Sequence, residues 1–429
     1  MKLLIKGGRI INPAKDFDAI GDILIENEKI IQIGSDINVT DAEVFPAVGL
    51  VVAPGFVDMH VHLREPGLEA KEDIASGTRA AAAGGITTIA CMPNTKPVID
   101  NAILVAGIAQ RAQLEGVVHV KVIGALSKGQ EGKELAEIGD MLLSGAVAIS
   151  DDGHYVESAK LLKTGLEYTG MFDKAIISHA EDETLVNEGH MHEGAVSAML
   201  GIKGRPSVAE DIAVARDIML AEYTGSRIHI AHISSQGAVE LVRQAKSRGI
   251  KVTAEVTPQH LALTDEVVAD FDSAAKVNPP LRSNEHREAL IAGLKDGTID
   301  AIATDHAPHA FEEKDREFRF APSGFAGLET SIGVVLSTLY HGGLFTLPEI
   351  VARMSANPAR ILGIEAGVLG EGKLADITII NPDLEWTVDS RKFYTRGKLT
   401  PFEGRQLKGK AVATIVKGKM IMQNGEVLE

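Results

Sequence analysis

Pro54-Gly55-Phe56-Val57-Asp58-Met59-His60-Val61-His62-Leu63-Arg64-Glu65-Pro66-Gly67 is the stretch on which the reading of this 429-residue chain turns. It opens on a short apolar run, and because side chains alternate along a strand, His60 and His62 project to the same side. An open, doubly wound sheet usually places a glycine-rich phosphate loop after its first strand. Here a His-X-His pair stands in that place, which directs attention to the mouth of a barrel instead.

Outward from it, eight apolar runs recur, each ending in polar residues: 57–62, 86–92, 118–126, 146–152, 175–179, 227–233, 252–257 and 301–305. Segments with helix-period apolar residues lie between them, among them 71–83, 101–114 and 238–248, and Gly84-Gly85 is a plausible stop for the first. Strands alternating with helices imply parallel pairing, and eight of them predict a closed (β/α)8 TIM barrel. The flanks read differently. Short strand signals with Gly and Asn turns occur at 3–5, 10–11, 23–25 and 30–33, and again at 375–380 and 413–416. Both termini are therefore expected to build one small β-sandwich domain, residues 1–52 with 365–429, beside a barrel of residues 53–364.

The chain carries 43 basic and 59 acidic residues, a net charge of -16. Such a balance argues against nucleic acid or anionic membranes as partners, since both require concentrated positive charge. It leaves room for an anionic small molecule, which needs only one well-placed arginine. Cys91 is the sole cysteine, so no intrachain disulfide can form. The apolar run at the start is too short for a signal peptide, and no apolar stretch reaches transmembrane length; a cytoplasmic location is expected.

The strand endings supply the chemistry. Beside His60 and His62 they place Asp152, His179, His232 and Asp305. In the fourth run Asp152 shares parity with Ser150, Ala148 and Ala146, and Asp151 with Ile149 and Val147. Small residues facing inward leave room for ions, so Asp152 is the expected ligand. His190 and His192 form a second His-X-His in a polar loop and are read as surface residues. Four imidazoles with two carboxylates favour zinc over calcium or magnesium. They are too many for one tetrahedral ion with an open position, whereas two ions about 3.5–4 Å apart can share a bridging carboxylate, and a metal lowers the pKa of its bound water to about 7. Metal-assisted hydrolysis is the implied reaction class. Other endings suit a substrate: Arg64, whose fork fits a carboxylate and which faces the way of His62 if the chain stays extended, then Asn94, Asn278, His309 and the loop around Ser323 and Gly324. Cys91 reads as a small core residue, and the charged run 311–316 reads as solvated surface rather than a lid.

With these motifs in view, the chain resembles the dihydroorotases of the amidohydrolase superfamily over essentially its whole length. Residues 54–67 carry the resemblance most specifically. Met92-Pro93-Asn94-Thr95, Asn278-Pro279-Pro280-Leu281-Arg282, Asp305-His306-Ala307-Pro308-His309 and Gly327-Leu328-Glu329-Thr330 support it. The resemblance implies two zinc ions per subunit, one held by His60, His62 and Asp305, the other by His179 and His232. Many superfamily relatives bridge the pair with a carbamylated lysine on the fourth strand. Val147-Ala148-Ile149-Ser150-Asp151-Asp152 holds no lysine, and Asp152 matches the aspartate that bridges in a bacterial subgroup.

By the same resemblance, the reaction is the reversible hydrolysis of L-dihydroorotate to N-carbamoyl-L-aspartate in pyrimidine biosynthesis, with Asp305 as base and then acid. Arg64, Asn94 and His309 then hold the substrate carboxylate, while Asn278 and the Ser323-Gly324 loop read the ring edges. A homodimer and association with aspartate carbamoyltransferase are the partner states the family suggests. The rival readings are another cyclic amidase, such as an allantoinase or dihydropyrimidinase, and a non-catalytic scaffold subunit. The carboxylate-binding pair argues against the first, and the filled set of ligand positions against the second.

Overall fold

Eight short strands form one parallel sheet in sequential order: Phe56–Val61, Ile86–Cys91, His119–Gly124, Ala146–Ser150, Ile176–Ser178, Ile228–Ile230, Val252–Val256 and Ala301–Ile302. The structure, a computed structural model, describes residues 2–428. The eighth strand returns to the first through a parallel bridge between Val61 and His306, and His62 N donates to His306 O at 2.8 Å. Buried Asp58 strengthens that seam by accepting from Thr304 N at 3.1 Å. All eight runs expected from the sequence are strands of this barrel; the first keeps its length but starts one residue earlier, and the other seven are one to several residues shorter than their apolar runs.

The helices begin where side chains can satisfy free N–H groups. Asp73 accepts from Ser76 N in a capping box before Ile74–Ala83, Asn101 caps Ala102–Glu115, and Ser235 caps Gln236–Ser247. The first of these ends at Gly84-Gly85 as expected. Gly85 adopts φ +82°, and a Cβ there would lie 2.6 Å from Ala411 Cβ, so both the turn and the close approach of the terminal sheet require glycine. Inside the barrel an apolar cluster of Val57, Met59, Ala90, Ile123, Ala148 and Ala303 is closed by Ile361 and Leu362 of the helix Ala356–Leu362.

Strands from both termini pair in a second, nine-stranded sheet with its own apolar cluster, including Ile5, Ile23, Val52, Ile377 and Ile415. The sandwich is thus hydrogen-bonded as one continuous sheet. It docks on the start of the first barrel strand: Gly55 N donates to Asp376 O at 2.9 Å, and Phe56 N to Thr378 Oγ1 at 3.1 Å. Among the described residues no helix is long and apolar enough to cross a membrane.

Candidate metal centre

The C-terminal ends of barrel strands one, four, five, six and eight bring His60, His62, Asp152, His179, His232 and Asp305 together. Asp152 stands at the middle. Its Oδ1 lies 3.3 Å from His60 Nε2, 3.6 Å from His179 Nδ1 and 3.4 Å from His232 Nε2, and its Oδ2 lies 3.4 Å from His62 Nε2. Asp305 Oδ1 is 3.1 Å from His62 Nε2 and 3.7 Å from His60 Nε2. Two overlapping groups, His60-Asp152-His232 and His60-His62-Asp305, have donor atoms close enough to hold an ion. Asp151, the neighbour weighed against Asp152, instead accepts from Leu126 N at 2.8 Å and Ser127 N at 3.0 Å.

Charge in this cluster is mutually enforced. Burial alone would make the Asp152 carboxyl harder to ionise, but His60, His179 and His232 hold its pKa well below the usual carboxylate range. Burial likewise opposes protonation of His60, and the carboxylates of Asp152 and Glu255 reverse that, raising its pKa well above the ordinary value. Asp305 is lowered against the cost of burial by His62 and His60. Among the described residues, His60 Nε2 and Asp152 Oδ1 are nevertheless buried without a hydrogen-bond partner, and the ring nitrogens His179 Nδ1 and His232 Nε2 face each other at 2.9 Å. Buried polar atoms are almost always paired, and imidazoles with carboxylates are the donors borderline ions prefer. The residues present fit bound metal.

Neighbouring groups set which imidazole nitrogen faces the centre. A carboxylate only accepts, so His60 Nδ1 donates to Glu255 Oε1 at 2.6 Å and turns Nε2 toward the centre. His62 Nδ1 donates to Asn94 Oδ1 at 2.8 Å with the same result. Glu255, in contact with His60, was not among the residues singled out from the sequence. Its signal was a charged residue within the apolar run of strand seven, and it is fully buried. His232 and Asp305 adopt φ +30° and +49°, left-handed conformations that residue types did not announce. Strain of this sort gathers where geometry around a ligand matters.

Arg64 departs from the extended chain expected of it, because the strand ends at Val61 and Arg64 takes φ +60°. Its buried guanidinium still reaches the mouth, with Nε donating to Pro308 O at 3.3 Å and Nη2 lying 3.5 Å from His309 Nε2. Burial, Arg64 and Lys71 push the His309 pKa down to about 2, so this imidazole is neutral; Nε2 donates to Ser323 O at 2.8 Å and Nδ1 faces Lys71 Nζ at 3.4 Å. Lys71 was not anticipated. Gly324 N donates to Lys276 O at 2.9 Å. The Asn278 amide is engaged by Arg205 on one side and donates to His179 Nε2 at 3.1 Å on the other.

Two further expectations need correction. His192 is buried rather than on the surface, and His190 is half-buried. A short parallel pairing of Met191–His192 with Gly204–Arg205 draws the segment inward, where Arg282 Nη1 lies 3.4 Å from His192 Nδ1. The run 311–316 is not simply solvated either: Lys314 of the turn Phe311–Lys314 is buried, and its Nζ donates to Pro322 O at 2.9 Å. Cys91 is buried in the core as expected.

A closed parallel barrel bearing imidazoles and carboxylates at one mouth, with a sheet from both termini at its side, defines a metal-dependent hydrolase of the amidohydrolase type. The Dihydro-orotase-like family matches residues 49–238, and the Amidohydrolase family residues 334–422. A dihydroorotase of Pelotomaculum thermopropionicum is 54% identical over 99% of both chains, and one of Acetivibrio thermocellus is 50% identical over 99% of this chain and 100% of its own. This chain belongs to the dihydroorotase family. Among solved structures, an L-hydantoinase (dihydropyrimidinase) from Arthrobacter aurescens superposes with a TM-score of 0.90 at 28% identity, covering 100% of this chain and 97% of the other.

Proposed function

We propose that this chain catalyses the reversible hydrolysis of the cyclic amide of L-dihydroorotate to N-carbamoyl-L-aspartate, the ring-forming step of pyrimidine biosynthesis. His60, His62 and Asp305 would hold one zinc ion, His179 and His232 another, with Asp152 shared between them. Bound there, the metals would supply a Lewis acid for the amide oxygen and a water acidic enough to react near neutral pH. Asp305, at the edge of the cluster and with its pKa lowered by His62 and His60, would take a proton from the attacking water and return it to the ring nitrogen as it departs. Glu255 and Asn94 keep the donor nitrogens of His60 and His62 turned inward.

The observation that carries the choice of substrate is the buried Arg64 guanidinium beside neutral His309. Among the described residues its hydrogen-bond acceptor is the Pro308 carbonyl, and the other group at its side is the His309 imidazole, neither of them a carboxylate. A buried cation so placed suits a substrate that brings its own carboxylate, as L-dihydroorotate does and hydantoin, dihydrouracil and allantoin do not. Full-length identity of about half to named dihydroorotases supports the same reading. The fold match to a hydantoinase favours a broader cyclic amidase, but an aspartate stands at the bridging position where lysine serves in many relatives. Assay of the zinc-loaded protein on all four compounds decides: turnover of L-dihydroorotate alone is expected, and faster turnover of any uncharged ring would overturn the assignment.

A further inference from the structure

A polar cavity of about 300 Å³ opens beside the metal cluster on the wall built after strands four, five and seven, bounded by residues that include Gly153, Tyr155, His179, Glu181, Arg205 and Asn278. Glu181 is 5% exposed. Its Oε2 accepts from Arg205 Nη1 at 2.8 Å, while Oε1 is buried without a hydrogen-bond partner among the described residues. Arg205 is itself anchored, its Nε donating to Gly189 O at 2.7 Å and its Nη1 also reaching Asn278 Oδ1. A carboxyl group anchored to Arg205 on a cavity wall, with one oxygen left over, calls for a ligand that brings an N–H or O–H donor.

The chemistry of the proposed reaction supplies one. In L-dihydroorotate the nitrogen released by hydrolysis lies across the six-membered ring from the carbon that carries the carboxylate. With the carboxylate gripped by Arg64 and His309, on loops after strands one and eight, that nitrogen is turned toward the opposite wall, where Glu181 stands. Hydrolysis breaks the bond between the amide carbon and this nitrogen and forms a carbon–oxygen bond from water. The nitrogen takes up one proton, so a single N–H becomes the NH2 end of a ureido group with two donors. We propose that Glu181, held by Arg205, accepts a hydrogen bond from this ureido NH2, making the cavity the subsite for the carbamoyl end of N-carbamoyl-L-aspartate. The proposal rests on the dihydroorotase reading and names a wall of the mouth opposite the carboxylate grip.

N-acetyl-L-aspartate tests it, since it replaces only that NH2 with a methyl group. Inhibition of L-dihydroorotate hydrolysis by the two N-acyl aspartates is measured on zinc-loaded wild type, Glu181→Ala and Glu181→Gln. In the wild type N-carbamoyl-L-aspartate should inhibit about tenfold more tightly, the size expected of a hydrogen bond to a charged group. Glu181→Ala should abolish that preference while leaving the inhibition constant of N-acetyl-L-aspartate within about twofold, an outcome that a general loss of structure would not produce. Should the alanine variant fail to fold, Glu181→Gln keeps the volume and loses the charge, and its preference should fall at least about threefold. Equal inhibition by both compounds in the wild type, or an undiminished preference in the variants, overturns the subsite. Absence of L-dihydroorotate turnover in the wild type overturns the dihydroorotase reading itself, and is seen before any variant is made.

Discussion

The wall of the mouth that gathers the proposed metal ligands is made from strand ends, whereas the wall that carries Arg64, His309 and Ser323 is made from loops. On the first, each residue lies on a paired barrel strand or within three residues of its end, and Glu255 holds the ring of His60. On the second, position depends on backbone carbonyls: Arg64 leans on Pro308 O and His309 on Ser323 O. A metal cluster tolerates little displacement of its donors, so rigid strands suit it. A substrate carboxylate must enter and leave, and loops tied by single hydrogen bonds suit that. The comparison teaches that the two walls should fail differently when altered, the first in turnover and metal affinity, the second in substrate affinity.

Asp305→Asn strikes the first wall hardest. Turnover of L-dihydroorotate is expected to fall by about a thousandfold or more, with the circular dichroism spectrum unchanged, because both a ligand and the proton carrier are lost. Activity within tenfold of wild type would remove Asp305 from the proton path. One layer out, Glu255→Gln should weaken zinc binding by about 10–100-fold, measured by competition with a chromogenic chelator, since the charged acceptor that orients His60 becomes a neutral amide. An unchanged affinity would mean that the strand alone holds His60 in place. Arg64→Ala tests the second wall: KM for L-dihydroorotate should rise about tenfold with kcat changed less than about threefold, as loss of a ground-state grip requires. A fall in kcat with KM constant would instead tie Arg64 to the metal side. The smallest effect is expected from neither wall. Cys91→Ala should leave kcat/KM within about twofold and cost about 1 kcal/mol of stability in denaturant unfolding, the price of a small cavity.

How far each wall was legible follows from the same physics. Apolar runs with polar endings announce barrel strands because alternation and burial constrain residue type at every position, so His60, His62, Asp152, His179, His232 and Asp305 stand out at the ends of five of the eight strands. Glu255 did not, since a single carboxylate within a buried run carries no spacing pattern and acquires meaning only when His60 is seen 2.6 Å away. Loop residues were harder. The reading assumed an extended chain through Arg64, whereas the backbone turns left-handed there, a feature no arginine signals. His192 reads as a surface residue from the sequence because its pairing partner, Arg205, lies 13 positions on and its strand is only two residues long. Lys71 reaches His309 from 238 residues away in sequence, beyond anything local pattern reveals. The terminal sheet was legible as β structure from its turns, while its joining into one continuous sheet depends on strand pairings between the two ends of the chain.

The most direct test of the account is a zinc titration of metal-stripped protein, with bound zinc per chain and L-dihydroorotate turnover measured on the same samples. Two zinc ions per chain, with activity absent at the start and rising as they bind, is the predicted result. Full turnover in the stripped protein, or two bound ions with no turnover of L-dihydroorotate, would contradict it.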